Sequence, residues 1–445
     1  MTTPRYQDGC AAGSQVMGAT SYVFAVNFNN GNVNNLNRNN KAFCRPVASV
    51  PARECQGVTF RELYTAMRNA RRHKQPSENM LEFLADWTGG LFDLQRALTA
   101  GAWVPSPATC FIAQRPKARQ IHAPAFSDRV VHHWLVPQLE AIYEPKFIHD
   151  SYASRRGKGT HKAVARLRQF VRQVASGQGG GWYLQLDIAN FFNSIDRRVL
   201  WQLLKPQLER GEVRPEALRA THALLRHSIQ QQGVVYRSTE AERERVPAHK
   251  RLENAATGCG LPIGNLSSQF FANVYLNELD QFAKHVLKAK RYLRYVDDFV
   301  LVHHDRAVLE NWQARIEAFL ADRLNLKLKA DIRLRPLSSG IDFLGYVVYP
   351  THTRVRRRVL KHVREALQAW RSAHVQAGMA QATPADYRKL SSVWGSYQGH
   401  MQHADSHRLQ QRILTRHRWL NSLVSTKRAF SHELEGRRIT IKVAI

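Results

Sequence analysis

The sequence is short of acidic residues for its size. Its 445 residues include 35 Asp and Glu against 65 Lys and Arg, which gives a formal net charge of +30. Because charged residues make up only 22% of the chain, the surplus arises from missing acids rather than from a basic tail. A polyanion neutralises a surplus of this size best, so nucleic acid is the leading class of partner.

Long apolar runs and paired cysteines are also missing. No run of 18 or more apolar residues occurs and no charged-then-apolar leader begins the chain, which disfavours membrane spans and secretion. The cysteines are odd in number and form no CxxC pair, which disfavours a disulfide framework or a zinc ribbon. They are Cys10, Cys44, Cys55, Cys110 and Cys259. These absences predict a cytoplasmic protein without a membrane partner.

What the chain does contain is enough apolar residues for a sizeable core, since 44% of it is hydrophobic. Its first part differs from the rest: residues 1–54 form an Asn-rich leader, with nine asparagines between Asn27 and Asn40. Asparagine competes with the backbone for hydrogen bonds, so we expect a polar, poorly ordered segment. From Thr59 onward the sequence is typical of a globular protein, and Thr59 and Glu62 have the spacing of a capping box.

Residue patterns predict several elements of this globular part. Residues 80–98 are amphipathic and predict a helix interrupted at Gly89 and Gly90. Aromatic and aliphatic residues alternate in a strand that ends at Asp187. The segment 230–258 is polar and without periodicity, which predicts an inserted loop.

The most informative motif is a pair of adjacent carboxylates, Asp297 and Asp298, between apolar runs (YLRYVDDFVLV). Neighbouring carboxylates repel each other, and burying them costs free energy. A turn between two buried strands would hold both rigidly, either as a divalent-cation site or as an ordinary Asp-Asp hairpin turn. Asp187 favours the first alternative, because three carboxylates in one sheet could bridge two Mg²⁺ ions roughly 3.5–4 Å apart for in-line phosphoryl transfer.

Several long motifs, which occur in a family's order, resemble the palm of a reverse transcriptase. They are YVDD, LDIANFFNSID, GLPIGNLSSQFFANVYLNELD and FLGYVVYP. More narrowly, the chain resembles the bacterial enzymes of diversity-generating retroelements and related defence-associated reverse transcriptases. That resemblance depends on RPKARQIHAPAFSDRVVHHWL, DSYASRRGKGTHKA, LPIGNLSSQ and WGSYQGHMQHADSH.

The resemblance implies an α+β right-hand polymerase with an antiparallel palm sheet. Its parts would be the fingers (55–179), the palm (180–350) with the inserted loop, and a helical thumb (351–445) that carries 18 Lys and Arg against 5 acids. The implied activity is RNA-directed DNA synthesis on a dedicated RNA template with two Mg²⁺ ions, which Mn²⁺ could replace. The implied partners are template RNA, the cDNA duplex and dNTPs, with a noncoding RNA and an accessory protein as further ones.

The resemblance also assigns roles to individual residues. Asp187, Asp297 and Asp298 would be catalytic and hold the metals, together with the backbone of Ile188. Phe192 falls where the family places an aromatic that blocks a 2′-hydroxyl. The full set implied to contact the nucleotide is Lys117, Arg119, Phe192, Ile263, Gly264 and Gln269.

Two positions depart from the family pattern. The usual lysine after the LGL-type strand is missing, and Lys329 is the candidate substitute. Ile263 stands where retroviral enzymes carry glutamine, and we hypothesise that the lost hydrogen bond lowers copying fidelity.

His400, His403 and His407 are expected to share one helical face, either as a metal site or, preferably, as a basic surface against the duplex.

The leader bears on the biological role. Residues 18–47 resemble translated template-repeat DNA, because Asn codons yield many residues when adenines are randomised. Diversity generation is therefore the first interpretation, and antiphage defence with an associated noncoding RNA is the alternative. A noncatalytic RNA-binding protein and a maturase-like splicing factor are rivals of other classes.

Overall fold

The computed structural model divides the chain into two units, residues 1–56 and 57–445. In the first unit it describes the backbone of residues 13–17, 20–26 and 33–36. In the second it describes residues 57–72, 74–114, 117–177, 180–227, 229, 233–424 and 439–443. None of the described helices is long and apolar enough to cross a membrane.

The first unit contains three antiparallel strands, β1 (Gly13–Met17), β2 (Thr20–Val26) and β3 (Val33–Leu36). Strands were not expected in this Asn-rich leader. The run SYVFAV within β2 is rich in the aromatic and β-branched residues that favour extended backbone. The rest of the predicted leader, including Cys10, Cys44 and Asn40, lies outside the described residues.

The second unit mixes helices and antiparallel sheets, so the predicted α+β class is confirmed. Its helices are α1 (Phe60–Arg71), α2 (Glu78–Ala85), α3 (Trp87–Ala100), α4 (Phe126–Tyr143), α5 (Thr160–Ala175), α6 (Phe191–Ser194), α7 (Arg197–Arg210), α8 (Pro215–Arg226), α9 (Glu240–Glu244), α10 (Leu266–Gln281), α11 (Arg306–Leu324), α12 (Arg357–His374), α13 (Pro384–Met401), α14 (His407–Arg416) and α15 (Arg418–Val424). Its strands are β4 (Ala108–Ala113), β5 (Arg119–Ala123), β6 (Trp182–Asp187), β7 (Val234–Tyr236), β8 (Tyr292–Tyr295), β9 (Asp298–His303), β10 (Arg333–Pro336), β11 (Ile341–Phe343), β12 (Tyr346–Val348), β13 (Thr353–Val355), β14 (Val375–Gln376), β15 (Met379–Ala382) and β16 (Ile439–Lys442).

The central sheet has the strand order β10-β6-β9-β8, with all neighbours antiparallel. Side chains alternate between its two faces, as a strand requires. Leu186 and Phe299 lie in the large core that includes α10 and α11. Tyr183 and Val300 lie in a second core, against α5 and the β11-β12-β13 sheet. Because both faces are covered by apolar packing, the strand ends are held rigidly.

A smaller three-stranded sheet, β5-β4-β7, combines two strands of the predicted fingers with one strand from the inserted segment of the predicted palm. β4 and β5 are antiparallel, and β7 adds to β4 in parallel. β7 comes from the segment 230–258, so this segment is not the structureless loop that its composition predicted. It also contains α9, which begins with a capping box between Thr239 and Glu242.

The helix predicted over residues 80–98 is interrupted at Asp86 rather than at Gly89 and Gly90. α2 ends before Asp86, whose side chain then caps α3 by accepting a hydrogen bond from Gly89 N (3.0 Å). A side-chain cap satisfies a free backbone donor and so defines a helix start, whereas glycine in the first turn is tolerated. The predicted capping box of Thr59 and Glu62 at α1 is confirmed.

The C-terminal helices pack around a core of their own. Leu367, Trp394 and Leu420 are buried in it, and Trp370 stacks on Trp419 with ring centroids 5.2 Å apart. A short β14-β15-β16 sheet joins this core. The predicted helical character of residues after 354 therefore holds for α12 to α15, while the small sheet was not expected.

Candidate active site

Three carboxylates come together at one end of the central sheet. Asp187 is the last residue of β6, and strand register places it directly opposite Asp298, the first residue of β9. Directly opposed residues of antiparallel strands have Cβ atoms roughly 5 Å apart. Asp297 lies in the turn between β8 and β9. The sheet thus juxtaposes residues that are far apart in the sequence.

The turn that carries Asp297 has an unusual backbone. Val296 has φ of 56°, in the left-handed region that β-branched residues avoid. Such a conformation persists only where the surroundings hold it, and it is typical of functional sites.

Burial and nearby negative charge disfavour the charged forms of Asp297 and Asp298. Burial raises the pKa of Asp297 to about 6, and the neighbouring charge of Asp187 contributes to the rise. Burial also raises the pKa of Asp298 to about 7, although a hydrogen bond from Gln185 acts against this. The positive charges of Lys329 and Arg119 lower the pKa of Asp297. Additional positive charge beside these carboxylates would therefore stabilise their ionised forms.

The donor set fits a divalent cation. Asp187 Oδ1 is buried and accepts no hydrogen bond from the described residues, while Oδ2 forms an ion pair with the Lys329 ammonium group. Asp297 is close enough for its pKa to respond to Asp187. Within the described part of the chain, no group of three or more His, Cys, Asp or Glu side chains could hold a metal on its own. Mg²⁺ suits such a site, because it uses one or two carboxylates and completes its shell with water and phosphate oxygens.

Asp187 and Asp298 line a cleft of about 480 Å³ together with several basic side chains, whereas Asp297 is not among its lining residues. Its lining includes Arg119, Asp187, Asp298, Lys329 and Arg356. Lys329 is fixed by its backbone as well, since its N–H donates to the Asp187 carbonyl oxygen (2.8 Å). The candidate substitute for the family's lysine therefore lies beside the carboxylates.

The two fingers residues differ in position. Arg119, at the start of β5, lines the cleft, whereas Lys117 is exposed and does not line it. Ile188 is buried and forms an isolated antiparallel bridge with Leu328, which continues the strand pairing past Asp187. Phe192 is half-buried against the core, and its carbonyl oxygen accepts a hydrogen bond from Leu261 N (2.8 Å).

The remaining predicted nucleotide contacts lie before and within α10. The Ile263 carbonyl oxygen accepts from His122 N (2.8 Å), which ties this loop to β5. Gly264 has φ of +124°, and a Cβ there would come within 3.0 Å of the His122 carbonyl oxygen. Gln269 is exposed and accepts from Ser154 Oγ (3.1 Å). Only glycine fits position 264, because the backbones of two elements meet there.

Sequence reasoning missed Gln185 and two arginines. Gln185 Nε2 donates to Asp298 (3.2 Å) and to the Asp342 carbonyl oxygen (3.1 Å). Its position two residues before Asp187 on a strand is the signal that places it on the same face. Arg333 and Arg356 also line the cleft, and Arg356 pairs with Asp342 (3.0 Å). No sequence spacing reveals these two, because their positions follow from sheet pairing and a distant loop.

The inserted segment, residues 230–258, connects the fingers sheet to the loop after the first carboxylate. Glu253 accepts a hydrogen bond from Gln120 Nε2 (2.9 Å), next to Arg119 on β5. The His249 carbonyl oxygen accepts from Asn190 Nδ2 (2.5 Å), two residues before Phe192. The inserted segment thus bridges two elements that carry predicted nucleotide contacts.

The three C-terminal histidines do not share a helical face, so that prediction is wrong. α13 ends between His400 and His403, and His407 begins the next helix. His400 stacks on Tyr346 and His403 on His161, with ring centroids 4.2 and 3.7 Å apart. These rings join the C-terminal end of α13 and the turn after it to β12 and α5.

Comparison with known proteins agrees with this geometry. Residues 112–348, more than half of the chain, match the model of the reverse transcriptase (RNA-dependent DNA polymerase) family. The chain is 23% identical over 300 residues to Protein YkfC of Escherichia coli (strain K12), covering 60% of this chain and 71% of that protein. It is 27% identical over 191 residues to the group II intron-encoded protein LtrA of Lactococcus lactis subsp. cremoris, covering 42% of this chain and 27% of LtrA.

Two solved telomerase structures are also similar. Telomerase from Candida albicans with the TWJ fragment of telomeric RNA has a TM-score of 0.37 and 11% identity, covering 65% of this chain and 55% of that chain. Apo telomerase from Candida tropicalis, truncated from its C-terminal domain, has a TM-score of 0.41 and 12% identity, covering 58% of each chain. The family match confirms the expected RNA-directed DNA polymerase, and the chain belongs to the reverse transcriptase family.

Proposed function

We propose that the chain copies an RNA template into DNA at the cleft lined by Asp187 and Asp298, beside the turn that carries Asp297. The observation that carries this proposal is the register of the central sheet, which places two of these carboxylates opposite each other and the third in the adjoining turn. In the reaction, the primer 3′-oxygen forms a bond to the α-phosphorus of a dNTP, the bond to pyrophosphate breaks, and the hydroxyl proton is released.

Asp187 and Asp297 are the residues that would hold Mg²⁺, with Asp298 and the Ile188 backbone as further candidates. When bound, two such ions lower the pKa of the 3′-hydroxyl and neutralise charge on the phosphates. The chain's own contribution is to orient the reactants. Lys329 offsets part of the carboxylate charge before substrate binds, since its ammonium group already pairs with Asp187.

The nucleotide would lie between the fingers and the palm. Arg119 lines the same cleft as Asp187 and Asp298 and suits a triphosphate, while the exposed Lys117 would supply charge from outside the cleft. Phe192, held through its carbonyl by Leu261, would form the wall that excludes a 2′-hydroxyl. Ile263, Gly264 and Gln269 would complete the pocket around the new base pair.

Outside the cleft, the basic thumb (351–445) would grip the backbone of the primer–template duplex. Its 18 Lys and Arg against only 5 acids support this role. Binding should then weaken steeply as salt rises, because bound phosphates release their counterions.

For the biological role, we propose diversity generation first, with antiphage defence as the alternative. The Asn-rich leader supports the first, since its residues 18–47 resemble a translated template repeat. Sequencing the neighbouring DNA decides between them. A nearby copy that differs at adenine positions is expected, and its absence would favour defence with a noncoding RNA.

The catalytic proposal is tested with protein purified together with its bound RNA. We expect dNTP incorporation on an RNA template, dependent on Mg²⁺ or Mn²⁺, and loss of it by about 10³-fold in Asp297→Asn. Asp93→Asn, on the exposed face of α3, is the matched control and should retain full activity. Equal synthesis by Asp297→Asn and wild type would mean that a contaminating polymerase supplies the activity. It would favour the alternative interpretation, a noncatalytic RNA-binding protein.

A further inference from the structure

A fully buried arginine lies directly behind the catalytic turn. Arg294, on β8, has no exposed side-chain surface and pairs with the equally buried Asp280 on α10. Nε donates to one carboxylate oxygen (2.8 Å) and Nη2 to the other (2.6 Å). The Tyr292 hydroxyl also donates to this carboxylate (2.7 Å). A buried charge is tolerated only when its partners are this complete.

The remaining N–H groups of the guanidinium donate to three other residues. Nη2 donates to Ser151 Oγ (3.1 Å), and Nη1 donates to Asn273 Oδ1 (3.3 Å). Nη1 also donates to the carbonyl oxygen of Val296 (3.0 Å). These bonds together with the Asp280 pair use the five N–H donors of arginine.

The Val296 contact is the one that matters for chemistry. Val296 is the residue with φ of 56°, and its carbonyl belongs to the peptide that leads into Asp297. A β-branched residue in this conformation is strained and tends to relax unless its surroundings prevent it. The rigid fork of Arg294 is anchored by Asp280 and therefore fixes the orientation of this peptide.

We propose that Arg294 is a positioning residue for the reaction. It does not touch substrate, but it holds the strained Val296–Asp297 peptide so that the Asp297 carboxylate faces Asp187. Loss of the clamp would let the turn relax and move Asp297 away from its catalytic position. The inference rests on the proposed function, because it concerns the same carboxylate site.

Arg294→Lys is the test variant, since lysine keeps the charge for Asp280 but cannot also reach Val296. We expect kcat for dNTP incorporation to fall about tenfold, with the KM for dNTP changed less than about twofold. The Mg²⁺ concentration for half-maximal activity should rise several-fold. A merely structural role would reduce the amount of folded enzyme without moving this concentration.

Arg155→Lys is the matched control. The Arg155 side chain is also buried, pairs with Glu144 (2.7 Å) and donates to the carbonyl oxygens of Ile148 (2.7 Å) and Ser151 (2.8 Å), but it does not contact the turn. We expect Arg155→Lys to lower thermal stability as Arg294→Lys does. The Mg²⁺ concentration for half-maximal activity of the folded enzyme should stay unchanged. Ser151→Ala, which removes one Arg294 contact, should shift the Mg²⁺ requirement by about twofold in the same direction, even if Arg294→Lys does not fold.

A double variant separates the clamp from general stability. Glycine adopts positive φ without strain, so Val296→Gly should reduce the loss caused by Arg294→Lys from about tenfold to about threefold. Additive effects, or an unchanged Mg²⁺ requirement in both Arg294→Lys and Ser151→Ala, would overturn the inference while leaving the proposed function intact. An inactive wild type would instead overturn the proposed function.

Discussion

The palm and the fingers build their parts of the cleft in different ways. In the palm, Asp187 and Asp298 are opposed by strand register and Asp297 is held in a tight turn, with apolar cores on both faces of the sheet. In the fingers, Arg119 projects from β5 as an exposed side chain, and Lys117 does not reach the cleft. If the proposed function holds, we therefore expect the palm carboxylates to be in place before substrate binds and the side chains of Arg119 and Lys117 to become ordered on the triphosphate.

The backbone of β5, which carries Arg119, is nevertheless held by hydrogen bonds to other segments. Gln120 is buried next to Arg119 and donates to Glu253 of the inserted segment (2.9 Å). His122 donates to the Ile263 carbonyl oxygen (2.8 Å). Substitutions in the palm should then affect the chemical step, and those in the fingers should affect nucleotide binding.

The largest expected effect tests the difference among the palm carboxylates. Asp187→Asn should lower kcat by about 10³-fold, because it removes a charge with one buried oxygen that has no hydrogen-bond partner among the described residues. Asp298→Asn should cost only about 10- to 100-fold, since Asp298 accepts a hydrogen bond from Gln185 and has a pKa raised to about 7. Single-turnover incorporation measures both variants, and equal losses would remove the distinction.

The next effect sharpens the contrast with the fingers. Arg119→Ala should raise the KM for dNTP about tenfold with little change in kcat, as expected for a lost charge-assisted contact to phosphate. Lys117→Ala should raise it by about threefold or less, because the side chain is exposed and outside the cleft. Steady-state titrations with dNTP give both values. A larger effect at Lys117 would mean that the fingers close over the nucleotide.

A smaller effect is expected from the inserted segment. Glu253→Gln weakens the bond that holds Gln120, at a cost of about 1 kcal/mol in the free energy of unfolding. The KM for dNTP should rise by about two- to threefold, because Arg119 lies next to Gln120 on β5 and would move with it. Denaturant unfolding and kinetics test the two outcomes separately. An unchanged KM would show that the segment does not position β5 for nucleotide binding.

The smallest effect concerns stability without metal. The pKa values of Asp297 and Asp298 are raised to about 6 and about 7, so the folded state holds protons that the unfolded state releases at lower pH. The stability they contribute is present below about pH 4 and is lost as pH rises through 6 to 7. The melting temperature in EDTA should fall over this range by a few degrees. Asp297→Asn should flatten the decline, and an unchanged decline in the variant would show that the pH dependence arises from other groups.

Much of the palm follows from the sequence, because strand alternation and a two-carboxylate turn are local patterns. The strands that end at Asp187 and begin at Asp298 are where alternation placed them. The bridge between Asn190 and the inserted segment was not predictable, since it joins polar residues without periodicity. The Arg294 network was equally hidden, because Asp280 and Ser151 lie on other elements and meet it only in the folded core.

Errors arose where a turn or cap overrode periodicity. Asp86 caps α3 and so moves the break away from the glycine pair. The turn after α13 separates His403 from His407, although their spacing fits one helix. At Asp86 a side-chain hydrogen bond to the backbone sets where α3 begins, and α13 ends at Met401 although the histidine spacing would fit a longer helix.

The central claim is that the palm carboxylates bind the catalytic metal, and metal-directed cleavage of the protein tests it most directly. Fe²⁺ replaces Mg²⁺ in the presence of primer, template and dNTP, and ascorbate with peroxide then cuts the backbone near the bound ion. We expect cuts beside Asp187 and within the Val296–Asp298 turn, and their loss in Asp187→Asn and in excess Mg²⁺. Cuts elsewhere with these two segments intact would contradict the claim.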